Sequence, residues 1–244
     1  MARFHVGAVL DRTPSPRYFE GGSTHLELAL VGTPRAATAR KLRAQLPSGA
    51  TFAVQIPSSF VRGPKGALRH DDDRPQTELI QALAAFAPTF IVLSTGVELT
   101  PGPRDREALA SFAEALRAAG AAPLVWQAGG LWEADEAAEL CRKLGILPAV
   151  DPLAPIPHEG PVAYAKVRAI GVHMRLGDGT MARIAEGLLG LGAEDTYIAL
   201  DAAEGPRRAR RLAQILAGSA DLVPTDDGED EAIDGEDEDL DDDE

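Results

Sequence analysis

Short apolar runs alternate with amphipathic runs along residues 1–217. The apolar runs are Phe4–Val9, His25–Val31, Thr51–Ile56, Thr89–Ser94, Pro123–Gln127, Leu147–Asp151, Val162–Arg168 and Thr196–Leu200, each five to seven residues long. Near-continuous runs of this length describe strands covered on both faces, as in a parallel sheet under helices. Between them, residues recur at helical spacing. Arg35–Leu46 aligns Ala36, Ala39, Leu42 and Leu46; Gln76–Ala87 aligns Leu79, Leu83 and Phe86. Arg104–Ala119 and Ala134–Leu144 carry similar stripes, and Met181–Gly190 and Arg207–Ala217 complete the set. Pro47-Ser48-Gly49, Gly120 and Gly145 follow their helices, where left-handed caps and helix-incompatible prolines belong. Eight strands and about six helices in βα order predict a TIM-like (β/α)8 barrel. Two crossovers, Arg12–Thr24 and Pro152–Pro161, are too irregular for a regular helix; the second carries His158. A doubly wound open sheet is the alternative, but Gly7-Ala8-Val9-Leu10-Asp11 is not the glycine-rich turn it normally shows after its first strand.

Charge divides the chain. Residues 225–244 hold 14 acidic and no basic residues, leaving 24 acids against 24 bases in residues 1–224. Segment Pro224–Glu244 has too little apolar surface to offset its ordering entropy, so a single barrel domain over residues 1–220 and a disordered acidic tail over 221–244 are expected. The tail suits a basic surface, and Arg207, Arg208, Arg210 and Arg211 lie just upstream; a plain solubility tail is the other reading. A body without net charge argues against nucleic acid as a partner. No run approaches the ~20 apolar residues of a membrane span, and Met1-Ala2-Arg3-Phe4-His5 lacks the apolar core of a signal peptide. A cytoplasmic location is therefore expected. Cys141, the one cysteine, falls in a helical stripe and reads as a small buried apolar residue.

Motifs with settled chemistry are absent: there is no P-loop, HExxH, paired CxxC or GxSxG. No two histidines sit at ligand spacing, so no metal and no cofactor is expected. His70-Asp71-Asp72-Asp73 lacks the glycine and distal glutamate of a calcium loop and reads as a solvated loop. His5 and His25 open strands, the barrel end that serves stability. Thr180 is expected to cap the helix after Gly177-Asp178-Gly179. The informative residues are polar ones at the C-terminal ends of strands, which in a barrel line the active-site mouth. They are Gln55, Ser94, Gln127, Asp151, Lys166, Arg168 and Asp201. Glu27 lies within an apolar run and needs a partner if buried. Two readings stand: a site for an anionic or sugar-like ligand, or an ion pair of Glu27 with Lys166 or Arg168 inside the barrel.

The chain resembles the domain-of-unknown-function 72 family, also called YecE-like, through most of residues 4–217. The resemblance rests on Phe4-His5-Val6-Gly7, Leu26-Glu27-Leu28, Gly49-Ala50-Thr51-Phe52-Ala53-Val54, Trp132 with the helix to Leu144-Gly145-Ile146 and then Val150-Asp151, Pro161-Val162-Ala163-Tyr164-Ala165-Lys166, and Pro206-Arg207 through Leu216. It implies a TIM-like barrel. Several polar positions depart from the family pattern: Gln55 stands for a lysine, Ser94-Thr95-Gly96 for Gln-Leu-Pro, and Trp126-Gln127-Ala128-Gly129-Gly130-Leu131-Trp132 loses a Glu, an Arg and a His. Lys166-Val167-Arg168-Ala169 and Leu200-Asp201-Ala202 also differ. Glu27, Trp132, Asp151 and Tyr164 match, and Lys166 preserves charge. The expectation is a divergent binding or interaction protein, for an unknown small molecule or protein. The alternative is an enzyme on a small phosphorylated or polyhydroxyl substrate. Candidate catalytic residues are Glu27, Asp151 and Lys166; candidate ligand-binding residues are Gln55, Ser94, Gln127, Trp132, Arg168 and Asp201.

Overall fold

The computed structural model describes residues 2–15, 17–20, 22–154, 158–169 and 175–218. Eight parallel strands close a barrel: β1 (Arg3–Leu10), β2 (Glu27–Ala29), β3 (Ala53–Gln55), β6 (Phe90–Ser94), β7 (Leu124–Gln127), β8 (Leu147–Val150), β9 (Val162–Arg168) and β10 (Asp195–Asp201), in that order around the ring. Closure is made by β1 on β10, in register from Arg3 opposite Asp195 to Ala8 opposite Leu200. Six regular helices cover the ring: α2 (Ala36–Ala44), α4 (Arg74–Phe86), α5 (Pro103–Ala118), α6 (Ala134–Leu144), α7 (Asp178–Gly190) and α8 (Gly205–Leu216). The expected acidic tail, and His173, lie outside the described residues.

The two-sided apolar strands have a direct explanation. One set of side chains, including Leu26, Leu28, Val54, Ile91, Leu93 and Trp126, packs outward on the helices. Val6, Ala163, Ala165, Val167, Ile198 and Leu200 do the same against Met181, Ile184, Leu188 and Leu212. The alternate set points to the axis, where Ala53, Phe90, Val92, Val125, Tyr164 and Ala199 form a separate cluster. Burying each large aliphatic side chain contributes about 1.5–3 kcal/mol, so strands such as β6 and β7 stabilise the ring from both faces.

Three features add to the sequence reading or correct it. The Arg12–Thr24 crossover contains a single helical turn, α1 (Arg17–Glu20). Its Tyr18 takes over part of the missing ladder: the Ala8 N–H donates to Tyr18 Oη at 2.7 Å, and Tyr18 Oη donates to the His25 carbonyl at 2.9 Å. A phenol thus bridges β1 and β2 where backbone pairing is incomplete. The two strands also pinch at Gly7, where a Cβ would stand 2.0 Å from the His25 carbonyl oxygen. Second, a single turn, α3 (Ser58–Val61), and a small antiparallel hairpin, β4 (Arg62–Gly63) and β5 (Gly66–Ala67), precede α4. Arg69 ties this hairpin to α5 by donating to Asp105 Oδ1 at 2.9 Å and to the Arg104 carbonyl at 3.2 Å. Third, Thr180 does not cap α7. The helix begins at Asp178 after a Gly177 N-cap with no side-chain cap, and Asp178 holds the end by pairing with Arg208 and Arg211 of α8. Those pairs, with Arg207 on Glu204 at 2.9 Å, also shrink the free basic patch that the α8 arginines suggest.

Candidate functional site

The barrel axis is layered. At its N-terminal end the inward residues are aromatic. His5 stacks on Tyr197 with ring centroids 4.4 Å apart. Phe90 meets Tyr197 at 4.7 Å and Tyr164 at 5.5 Å, while His25 meets both tyrosines edge-on. This layer closes the bottom of the ring. His25 is fully buried; its Nδ1 lies 3.1 Å from Thr51 Oγ1, whose own hydrogen goes to the Thr24 carbonyl. Nδ1 is therefore the donor, and Nε2 is a bare lone pair without a partner among the described residues. Burial, with the nearby His5 second, pushes its pKa from 6.5 down to about 3, so the imidazole is neutral.

Above the aromatics lies a polar layer. Lys166 Nζ donates to Glu27 Oε1 at 2.5 Å, to Gln55 Oε1 at 3.1 Å and to Ser94 Oγ at 3.3 Å. Tyr164 Oη donates to Glu27 Oε2 at 2.7 Å. Burial first, then the Glu27 carboxylate, raise the Tyr164 pKa well above that of an ordinary phenol, so this hydroxyl stays a donor. The side chains of Lys166 and Glu27 are 3% and 0% exposed. The expected internal ion pair is therefore the Glu27–Lys166 pair.

Donor direction is fixed outward from the lysine. An ammonium has three hydrogens and no acceptor, and all three are committed. Gln55 must present its amide oxygen to Lys166. Ser94 Oγ accepts from Lys166 and donates to Gln127 Oε1 at 2.7 Å, so Gln127 also turns its oxygen inward. Both amide NH₂ groups are left without a partner among the described residues, and both glutamines are half-buried. Ser94 and Gln127 are register partners on β6 and β7. The loops beyond them touch because of glycine: a Cβ on Gly129 would stand 2.6 Å from the Thr95 oxygen, and one on Gly130 (φ +70°) 2.7 Å from the Gly96 oxygen. Any larger residue there would part the two loops.

At the rim, Arg168 Nε lies 3.6 Å from Asp201 Oδ2, on register partners of β9 and β10. Seven of the nine residues chosen from sequence are thus placed around one barrel mouth: Glu27, Gln55, Ser94, Gln127 and Lys166 in one network, Arg168 and Asp201 above it. Asp151 and Trp132 are not brought into it. Asp151 Oδ1 accepts from the Leu153 N–H at 2.9 Å, and the residue borders a cavity beside α6. Trp132 is buried on the helix side: its indole N–H donates to the Leu99 carbonyl at 2.8 Å, its ring stands perpendicular to Trp126 at 4.9 Å, and Arg106 lies over it. Its place in the sequence, at the mouth end of β7, gave no sign that the chain turns it outward. Sequence reasoning chose Tyr164 from the resemblance alone and missed its bond to Glu27; parity with Lys166 two residues on was the available signal.

A closed parallel ring with its polar residues at the C-terminal ends of strands defines a TIM-barrel protein. Among solved structures, the chain is similar to two crystal structures of a DUF72 family protein from Enterococcus faecalis V583. One matches with TM-score 0.65 and 11% identity over 91% of this chain and 98% of that one. The other matches with TM-score 0.61 and 10% identity over 88% and 100%. A xylose isomerase-like TIM barrel/4-hydroxyphenylpyruvate dioxygenase fusion protein matches with TM-score 0.57 and 12% identity, over 89% of this chain and 42% of that one. The resemblance read from sequence is thus borne out as a likeness of fold. No protein-family model and no curated protein matches the chain. Among the described residues, no cluster of three or more His, Cys, Asp or Glu is placed to hold a metal, and no helix is long and apolar enough to cross a membrane.

Proposed function

We propose that the barrel is a binding protein for a small, acceptor-rich molecule, anionic or polyhydroxyl, seated in the mouth on Gln55, Gln127 and Arg168. One observation carries this reading: every hydrogen of Lys166 is committed within the network, and the two glutamine amides oriented by Lys166 and Ser94 keep N–H donors without a partner among the described residues. Fixed donors select carboxylate, phosphate or sugar oxygens, since a ligand lacking acceptors leaves them unpaired. Arg168 adds charge at the rim, shared with Asp201. Acid–base catalysis is less well served. Both Glu27 oxygens are taken by Lys166 and Tyr164, and Asp151 has no bond to the network. In this reading Glu27, Tyr164 and Lys166 are positioning residues.

The test is a thermal-shift titration with inorganic phosphate, citrate and myo-inositol, on wild type and on Gln127→Ala. A ligand at a hundredfold its Kd adds about 2.7 kcal/mol to the folded state. For a domain of this size that raises Tm by roughly 5–10 °C. At least one probe should do so in wild type and lose most of the effect in Gln127→Ala. No shift with any probe, or equal shifts in the variant, removes the proposal.

A further inference from the structure

A second cavity lies outside the mouth, between β7, β8 and the N-terminal half of α6. It holds about 210 Å³ and is lined by Trp126, Trp132, Ala137, Ala138, Asp151 and His158, among others. Its origin is in the sequence. Ala134, Ala137 and Ala138 turn one face of α6 toward the barrel wall, and methyl side chains leave space that a leucine would fill. That volume is below the roughly 300 Å³ at which drug-sized sites begin, so it accommodates one ring and a short arm.

The ionisable side chains that line this cavity are Asp151 and His158. Asp151 is exposed at its rim, with Oδ1 held by the Leu153 N–H and Oδ2 left for a ligand. His158 also lines the cavity, and its Nε2 is buried with no hydrogen-bond partner among the described residues. Neither indole offers a donor, because Trp126 Nε1 is committed to Thr95 Oγ1 at 3.0 Å and Trp132 Nε1 to the Leu99 carbonyl. Arg106, which lies over the Trp132 ring, is paired with Glu136. Glu133 and Asp135 flank Ala134 at the start of α6, so the surroundings are acidic.

We infer that this cavity is a second ligand site, distinct from the mouth, that takes a small aromatic or aliphatic ammonium ion. The apolar body lies against the indoles and alanines, and the ammonium donates to Asp151 Oδ2. Indole walls suit such a cation further, through the negative faces of their rings. The inference does not rest on the proposed role of the mouth.

The chain supplies its own reporter, because its two tryptophans, Trp126 and Trp132, both line the cavity. Tryptophan emission is followed while benzylammonium, benzyl alcohol or benzoate is titrated into the full chain. A saturable change with benzylammonium is expected, at least about tenfold weaker for benzyl alcohol and for Asp151→Asn, as loss of a charge-assisted bond requires. Filling the cavity with Ala138→Phe should abolish it. Ala134→Leu, at the exposed rim, repeats that test if the first variant fails to fold. Inorganic phosphate should not compete. No saturable change, benzoate binding as tightly as benzylammonium, or undiminished binding to a folded filled variant would each overturn the inference.

Discussion

Removing the Glu27 carboxylate isolates the consequence of building the polar layer of the barrel on a buried ion pair. In Glu27→Gln the side-chain volume is kept, but Lys166 loses its counter-charge inside the ring, where its side chain is 3% exposed. Breaking a buried pair from one side costs about 3–5 kcal/mol, because the remaining charge is left uncompensated. At about 2–4 °C per kcal/mol for a chain of this size, Tm should fall by roughly 6–20 °C. Lys166→Met should cost about as much, by stranding the carboxylate. Replacing the whole triad with apolar residues of similar shape (Glu27→Leu, Tyr164→Phe, Lys166→Met) leaves no buried charge unpaired, frees only the half-buried Gln55 and Ser94 acceptors to water, and should lie within about 2 kcal/mol of wild type. Urea unfolding of the four proteins reads these differences from midpoints, provided the slopes agree. The decisive quantity is the non-additivity: the triad replacement must be less harmful than either single change. Single variants within about 1 kcal/mol of wild type, or a triple variant as unstable as the summed singles, would refute the buried-pair argument.

Further predictions concern titration, reactivity and the C-terminal segment. The folded-state pKa of His25 is depressed to about 3, so its contribution is present above the unfolded value near 6.5 and is lost as pH falls toward 3. At about 1.4 kcal/mol per pH unit of that gap the loss is on the order of 5 kcal/mol; urea midpoints between pH 7 and 4 should fall more steeply for wild type than for His25→Phe, and parallel profiles would contradict it. Burial pushes the Cys141 thiol up to about 12, so Ellman's reagent should label it only after unfolding, whereas prompt labelling of the native protein would show it exposed. Deleting residues 225–244, with their 14 acids, should move Tm by no more than about 2 °C, the scale of a surface change; a larger loss would mean the segment packs on the barrel.

The barrel was legible because its strands announce burial on both faces. Val162–Arg168 has outward Ala163, Ala165 and Val167 alternating with inward Tyr164, Lys166 and Arg168, and both sets come from one short run. The six regular helices follow from their apolar stripes. What escaped was structure made by single side chains across long separations. Tyr18 bridges β1 and β2 through its hydroxyl, and no periodicity encodes a bond of that kind. Arg69 ties a hairpin to α5 across 36 residues. At the site, strand ends placed Gln55, Ser94, Gln127 and Lys166 together, because parity and the barrel rule act locally. Asp151 and Trp132 were misplaced since they follow the last strand residue, where alternation no longer governs direction. The donor direction of the glutamines was beyond sequence altogether; it exists only once Lys166 is seen to reach both Gln55 and Ser94.

The orientation of those amides is the central claim, and side-chain amide NMR reads it directly. In ¹⁵N-labelled protein, the NH₂ resonances of Gln55 and Gln127, assigned from Gln→Ala variants, are followed while inorganic phosphate or citrate is added at constant ionic strength. The account predicts saturable shifts in both pairs with the probe that stabilises the protein, and none with a tetraalkylammonium chloride, which offers no acceptor in its cation. Gln55 and Gln127 signals that stay unmoved while the protein binds the anion elsewhere, or that respond equally to the tetraalkylammonium salt, would contradict it.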